Sequence, residues 1–376
     1  MEQKIISAEN HYRELDHWFL NHGLEKVLLV CGKSIVRQHI YEFFEAVQDR
    51  LGVTIVRFMD FTPNPLYESV VKGVELFRQE GCQGIIAVGG GSAMDVAKCI
   101  KLYSNMQGNG AEGDYLKQKI IPNELPFLAM PTTAGTGSEA TRYAVIYYDG
   151  AKQSVADPSC IPGTVLMDSS VLKTLPEYQK KSTMMDALCH AIESFWSVNS
   201  TDESKEFSRN AIEMIMANKD AYLANADEGN AAMLRAANLA GKAINITQTT
   251  AGHAMCYKIT SLFGCAHGHA AALCDRVLFP WMIEHTDKCI DSRGREYLDK
   301  TLNEIGQALN CKDASSGAKK FIELFESLEL DIPTANAEQF QTLKTSVNPV
   351  RLKNYPIALD EGTIDDLYHE ILRAEV

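Results

Sequence analysis

The chain has 376 residues, enough for two domains that each bury a core, and its 45% hydrophobic and 23% charged content is that of a soluble globular protein. A formal charge of −13 with no compensating basic patch excludes nucleic acid and anionic membrane as partners, and no stretch approaches the roughly 20 apolar residues of a membrane span. The charged first 14 residues do not read as a signal peptide, and the ten cysteines share no C-x-x-C pairing, so a reducing, cytoplasmic setting is expected.

Along the first half, apolar runs alternate with helix-compatible stretches. Lys26-Val27-Leu28-Leu29-Val30 predicts a strand, followed by a helix over residues 34–51. Residues 53–58 predict a second strand. A turn at Phe61-Thr62-Pro63-Asn64-Pro65 and a helix to about residue 80 follow. Residues 84–88 predict a third strand that runs straight into Gly89-Gly90-Gly91-Ser92, then a helix carrying Asp95 and Lys98. Further strands are expected at 125–130 and 143–148. Such alternation predicts a parallel sheet with helices on both faces.

Beyond Pro176 the texture becomes helical: 179–198, 203–225, 231–246, a helix opened by Gly252-His253 and ending near Phe263-Gly264, then 269–285, 315–327 and 364–373. Residues 345–356 read as a loop over a surface or cleft. The expected organisation is an α/β dinucleotide-binding domain over residues 1–170 and an all-α metal-binding domain over residues 171–376, with the boundary near 160–178.

Two loops carry the nucleotide signal. Gly89, Gly90, Gly91 and Ser92 stand between a strand and a helix N-terminus, where glycine lets backbone amides approach a pyrophosphate. Their spacing is not the usual G-x-G-x-x-G, and alone they are compatible with a tight turn. Pro131-Thr132-Thr133-Ala134-Gly135-Thr136-Gly137-Ser138-Glu139 follows another strand end and packs hydroxyls with glycines. Two such loops at strand C-termini describe a nucleotide cleft.

The metal signal lies in the second half. Asp186 and His190 are four residues apart and share a helical face, a weak pattern alone. His253, His267 and His269 stand in similarly apolar surroundings. One carboxylate and three imidazoles suit Fe(II), Zn(II), Co(II) or Ni(II), and residue types alone do not choose among them.

Together, Pro63-Asn64-Pro65, Gly89 to Lys98, Pro131 to Glu139, Asp186 to Glu193, His253 and His267-Gly268 resemble the iron-containing (group III) alcohol dehydrogenases over nearly the whole chain. The resemblance implies Asp186, His190, His253 and His267 as metal ligands, with the family spacings of four and fourteen residues intact. It implies cofactor contacts from Asn64, Gly89 to Ser92, Asp95, Thr132, Thr133, Thr136, Ser138 and Lys152. Fe(II), NAD(H) or NADP(H), and a homodimer are the implied cofactors and assembly. Two departures stand out. Many members carry Asp after the first strand; here Gly32 stands there, followed by Lys33 and Ser34, which favours NADP(H) because a carboxylate no longer repels a 2′-phosphate. Many carry a histidine four residues after the His253 position; here Tyr257 stands there, and Tyr257 or His269 is expected to relay protons.

The segments around His253 and His267 are most similar to the phosphonoacetaldehyde reductase branch, whose product is 2-hydroxyethylphosphonate. An anionic substrate needs a cation near the metal, and Lys258 is the expected one, with Arg142, Arg351 and Lys353 behind it. The alternative substrates are simple primary aldehydes or small diols. A lyase resembling 3-dehydroquinate synthase shares the broad fold but uses a different ligand pattern. A metal-free maleylacetate reductase is disfavoured because all four ligand positions are filled, and the same point argues against a non-catalytic nucleotide sensor.

Overall fold

Runs such as Val27-Leu28-Leu29-Val30 and Ile85-Ile86-Ala87-Val88 have no polar alternate, so both faces of the strands they form must be covered. In the computed structural model, which describes residues 3–8, 12–347 and 349–375, these residues are buried without interruption. The chain forms two units. One contains the chain up to Thr133 together with Gly137–Thr174; the other contains Ala134–Thr136 together with the chain from Leu175.

The first unit is built on strands β1 (Lys4–Ser7), β2 (Lys26–Cys31), β3 (Thr54–Phe58), β4 (Gly84–Gly89), β5 (Phe127–Pro131) and β8 (Thr164–Met167), with β6 (Tyr143–Tyr148) and β7 (Ala151–Ala156) set apart. The six-stranded sheet has the order β1-β8-β5-β4-β2-β3, and every pairing in it is parallel. Parallel neighbours need long crossovers, which here carry α1 (Glu14–Asn21), α2 (Ile40–Leu51), α3 (Tyr67–Glu80), α4 (Gly91–Tyr103) and the single turn α5 (Asp114–Lys117). From β2 the chain steps outward to β3 and then returns to the other side of β2 as β4. The sheet therefore changes direction of growth between β2 and β4, where ligands of open α/β sheets sit beyond the strand C-termini.

Two expectations need correction here. The helix expected over 34–51 is broken: a 3₁₀ turn, Lys33–Arg37, ends at the extended Gln38, and α2 begins at Ile40. The strand at 143–148 does not join the parallel sheet. Asp149 and Gly150 both adopt positive φ, 49° and 71°, so a tight turn folds β7 back antiparallel onto β6.

The second unit consists of α6 (Glu177–Trp196), α7 (Asp202–Leu223), α8 (Asp227–Thr247), α9 (Ala251–Phe263), α10 (His267–Glu284), α11 (Arg295–Ala308), α12 (Ala314–Ser327), α13 (Ala337–Ser346), the turn α14 (Pro349–Leu352) and α15 (Glu361–Ile371). It is not wholly helical: β9 (Thr334–Ala335) pairs in parallel with β10 (Arg373–Ala374). α6 is buried from Met184 through Trp196 on every side, which makes it the core helix of this unit and desolvates each polar group it carries. The segment expected to loop at 345–356 is partly helical, since α13 runs into it and α14 occupies its middle; Asn348 lies outside the described residues. Asn354 ties its end down by donating to the Thr249 carbonyl at 3.1 Å.

Candidate functional site

In the first unit the two glycine-rich loops meet. Thr132 N–H donates to the Gly89 carbonyl at 3.0 Å. Gly89 has φ 156°, and a Cβ there would stand 2.6 Å from Ala93 Cβ, so only glycine makes the turn into α4. Gly90 faces Thr133, whose Oγ1 would be 3.2 Å from an added Cβ. Gly91 and Ser92 open α4, directing its free amides outward. Behind the loops, Ser138 Oγ–H donates to Asp95 Oδ1 at 3.2 Å, and the buried Lys98 donates to Ser138 O (2.6 Å), Thr141 Oγ1 (3.1 Å) and Tyr143 O (2.7 Å). Desolvation pushes the Asp95 carboxyl up to about 6, with Lys98 and Lys152 opposing it. Asp95 and Ser138 thus brace the two loops against each other.

At the end of β2, Gly32 has an ordinary extended backbone, and an added Cβ would meet nothing closer than Ser34 Oγ at 3.8 Å. Any residue fits there, so glycine at this position is a chemical choice and not a conformational one. Lys33, which is exposed, lines a cavity of about 600 Å³ together with Phe61, Thr62, Asp60 and Lys72, the last two ion-paired at 2.6 Å. Asn64, at the turn beyond, has φ 56°.

In the second unit, Asp186, His253 and His267 each bring a ligating atom within 4.8 Å of the others. Asp186 projects from α6, His253 from the first turn of α9, and His267 is the first residue of α10. His253 Nε2 and Asp186 Oδ1 face each other at 3.5 Å, and neither atom has a hydrogen bond. Buried polar atoms left unpaired cost about 1–3 kcal/mol each, so this arrangement fits a divalent cation better than a protein core. Electrostatics agree. Burial alone would raise the Asp186 carboxyl, but His190, His253 and His267 hold it far below the usual range. Burial alone would lower His253, yet Glu193 and Asp186 raise it to about 10. Two carboxylates in a dry pocket demand a positive charge.

His190 stands beside this trio and not within it. Its ring stacks on His253 with centroids 4.4 Å apart, it is hydrogen-bonded to the Gly135 backbone, and its Nδ1 has no partner. Burial lowers it to about 4, which keeps the imidazole neutral. The Ala134–Thr136 segment reaches α6 closely because Gly135 has no side chain: a Cβ would stand 2.9 Å from the Thr183 carbonyl oxygen. Gly268 does the same for α10, since its Cβ would meet Ser182 O at 2.2 Å and Asp186 Cβ at 2.5 Å. Gly268→Ala is therefore expected to cost about 2–3 kcal/mol and lower the thermal midpoint by roughly 5 °C, measured by calorimetry, while loosening metal retention.

Among the residues expected to serve catalysis, the structure separates three cases. Tyr257 lies one turn beyond His253 on the same face of α9, and its ring stacks on His267 with centroids 5.4 Å apart; burial holds its phenol well above the usual value. His269 is engaged on both ring nitrogens: Tyr178 OH bonds its Nδ1 at 3.1 Å and the Asp331 carbonyl bonds its Nε2 at 2.8 Å, contacts that hold α10 in place. Lys258 stands differently. Five residues past His253, it sits about 140° around the helix from the ligand, away from the face that bears His253 and Tyr257.

Arg351 donates to Thr249 Oγ1 at 3.0 Å and lies 5.1 Å from the centroid of the Tyr257 ring, which stacks on His267; among the described residues no carboxylate pairs with it. Lys353 is exposed, and Arg142 is occupied by its neighbour Tyr143 at 3.1 Å. The sequence reading passed over Glu193, whose carboxylate accepts from His253 Nδ1. The signal was available: Glu193 follows Asp186 by seven residues and His190 by three, on one stripe of an apolar helix.

Comparison with known proteins matches residues 2–169 to the family described as "Iron-containing alcohol dehydrogenase" and residues 180–370 to "Fe-containing alcohol dehydrogenase family, C-terminal". The chain is 30% identical over 332 residues to aldehyde-alcohol dehydrogenase 2 of Entamoeba histolytica, spanning 81% of this chain but 37% of that relative's length. It is 29% identical over 287 residues to phosphonoacetaldehyde reductase of Streptomyces viridochromogenes, spanning 71% of this chain and 72% of that one. The crystal structure of sulfoacetaldehyde reductase from Bifidobacterium kashiwanohense in complex with NAD+ superposes with a TM-score of 0.87 at 25% identity, over 99% of this chain and 97% of that one.

Proposed function

The chain belongs to the iron-containing alcohol dehydrogenase family, and from that premise we propose that it is a metal-dependent NAD(P)H aldehyde reductase whose substrate is phosphonoacetaldehyde and whose product is 2-hydroxyethylphosphonate. The observation that carries the chemistry is the cluster of Asp186, His253 and His267, whose ligating atoms lie within 4.8 Å of one another, with Asp186 Oδ1 and His253 Nε2 buried and without a hydrogen bond. Asp186, His190, His253 and His267 hold the cation, Fe(II) in the first instance. Bound there, the metal supplies Lewis acidity toward a carbonyl oxygen, and the nicotinamide supplies the hydride.

The protein's own groups do the rest. Glu193 and Asp186 supply the negative field that makes a cation welcome. Gly89 to Ser92, Thr132 and Thr133 present amides and hydroxyls to a pyrophosphate. The Tyr257 hydroxyl, kept protonated by burial on a ring that stacks on His267, gives a proton to the developing alkoxide. Arg351 supplies the positive charge for an anionic tail, because among the described residues no carboxylate pairs with it and it lies over the ring that stacks on His267. Relatives that act on phosphonoacetaldehyde and sulfoacetaldehyde, both two-carbon aldehydes with an anionic end, support the same substrate class. The chain assembles as a homodimer in the cytoplasm.

Cofactor choice follows from the Lys33 cavity. An ammonium with no ion-pair partner among the described residues and an open Gly32 position favour a 2′-phosphate, hence NADP(H). Lys33→Ala is expected to raise KM for NADPH about tenfold, the worth of one exposed charge-assisted contact, with KM for NADH unchanged. Equal effects on both cofactors would reject the assignment.

The deciding assay compares initial rates with NADPH and NADH against phosphonoacetaldehyde and butyraldehyde, and with NADP+ and NAD+ against propane-1,2-diol, with metal analysis of the same preparation. A kcat/KM for phosphonoacetaldehyde at least about 100-fold above that for butyraldehyde is expected. Comparable values would remove the phosphonate reading and leave a reductase of simple aldehydes.

A further inference from the structure

An imidazole ligand has to be aimed before its ion arrives, in ring orientation and in tautomer, and one carboxylate here does both for His253. Glu193 is fully buried on α6. One of its oxygens, Oε1, accepts from His253 Nδ1–H and from the His253 backbone N–H at 3.1 Å. The other, Oε2, accepts from the Thr250 backbone N–H at 2.5 Å and from the Thr250 hydroxyl at 2.6 Å. Trp196 Nε1–H donates to the same hydroxyl at 2.9 Å, which leaves that hydroxyl's own proton for Glu193. Thr250 is the N-cap of α9 and His253 is its third residue, so a carboxylate from one helix caps another.

The space for it is also specified. A Cβ on Gly252 would lie 2.8 Å from Glu193 Oε1 and 2.1 Å from Asp275 Oδ1. Glycine at 252 is what admits both buried carboxyl groups beside α9.

We propose that Glu193 is the positioning residue of the metal centre: by accepting Nδ1–H it fixes the tautomer in which His253 Nε2 is the free donor atom facing Asp186, and by capping α9 it sets the rotation that delivers His253 to the ligand cluster. Glu193 does not touch the ion or the substrate. The inference rests on the metal reading above, and the experiment separates the two failures.

The test uses the full-length protein loaded with Zn(II) or Co(II), with affinity measured by chelator competition and coordination read from the visible spectrum of the Co(II) form. Wild type is expected to bind one equivalent; absence of binding defeats the metal reading itself. Glu193→Gln keeps the shape but replaces an acceptor oxygen with an amide that faces the Thr250 donors. Gly252→Ala keeps the charge but pushes Oε1 aside. Both are expected to weaken metal affinity about 10- to 100-fold and to alter the Co(II) bands, while NADPH binding is retained. Glu193→Asp, which draws the carboxylate back by one methylene, serves if either fails to fold. Wild-type affinity and an unchanged spectrum in any folded member of this set overturns the proposal.

Discussion

Replacing His267 with alanine is expected to lower kcat at least a thousandfold and to leave the protein nearly metal-free, while NADPH still binds. His267 is the first residue of α10, and with Asp186 and His253 it completes the cluster whose ligating atoms lie within 4.8 Å of one another. Losing one of the four proposed donors, and one of the three whose atoms lie within 4.8 Å of one another, leaves only Asp186 and His253 in that close set, too few to hold a divalent ion in a fixed geometry. The Lewis acidity lost with the ion is worth several kcal/mol, and about 4 kcal/mol is a factor of roughly a thousand. Nucleotide binding is expected to survive because Gly89 to Ser92, Thr132, Thr133 and the Lys33 cavity belong to the other unit of the chain. Metal content by mass spectrometry, single-wavelength rates and NADPH fluorescence titration on one preparation check all three statements. Retained turnover in a metal-free variant would end the metal assignment.

How far the sequence led is best judged residue by residue. The parallel sheet was legible because its central strands are buried on both faces and therefore read as unbroken apolar runs. The edge strand Lys4–Ser7 and the short Thr164–Met167 were not, since four residues leave no periodicity to detect. The antiparallel hairpin at Tyr143–Ala156 hid in plain view: Asp149-Gly150 is a turn signal, and the strand expected at 143–148 did not take it into account. In the site, spacing on one helix was enough to pair Asp186 with His190, yet it did not foresee that the His190 ring would stack on His253 outside the close trio. His269 looked like a candidate because it adjoins His267-Gly268, but sequence proximity ignores that successive residues on a helix point about 100° apart. Its ring turns to Tyr178 and Asp331 instead. The same geometry turns Lys258, near in sequence, away from the His253 face, whereas Arg351 lies against the Tyr257 ring. Tertiary contacts more than 90 residues apart, such as Arg351 with Thr249, leave no trace in a single chain's pattern.

Arg351→Met is accordingly expected to divide substrates by charge. A phosphonate dianion brought out of water requires a cation, and truncating one partner of a desolvated, hydrogen-bonded charge pair costs at least about 2–3 kcal/mol. That is a loss of roughly 30- to 150-fold in kcat/KM for phosphonoacetaldehyde. Butyraldehyde has no charge to lose, so its kcat/KM is expected to change less than about threefold. The guanidinium is held by Thr249 Oγ1 and the Tyr257 face and by no carboxylate among the described residues, which leaves its remaining donors to a ligand. Arg351→Lys keeps the charge but forfeits the planar fork and its seat on the tyrosine, and is expected to fall between wild type and methionine. A uniform loss on both aldehydes would mean that Arg351 supports the fold around Tyr257 and not the tail of the substrate. A selective loss would fix the anion site beside Tyr257, one ring removed from His267.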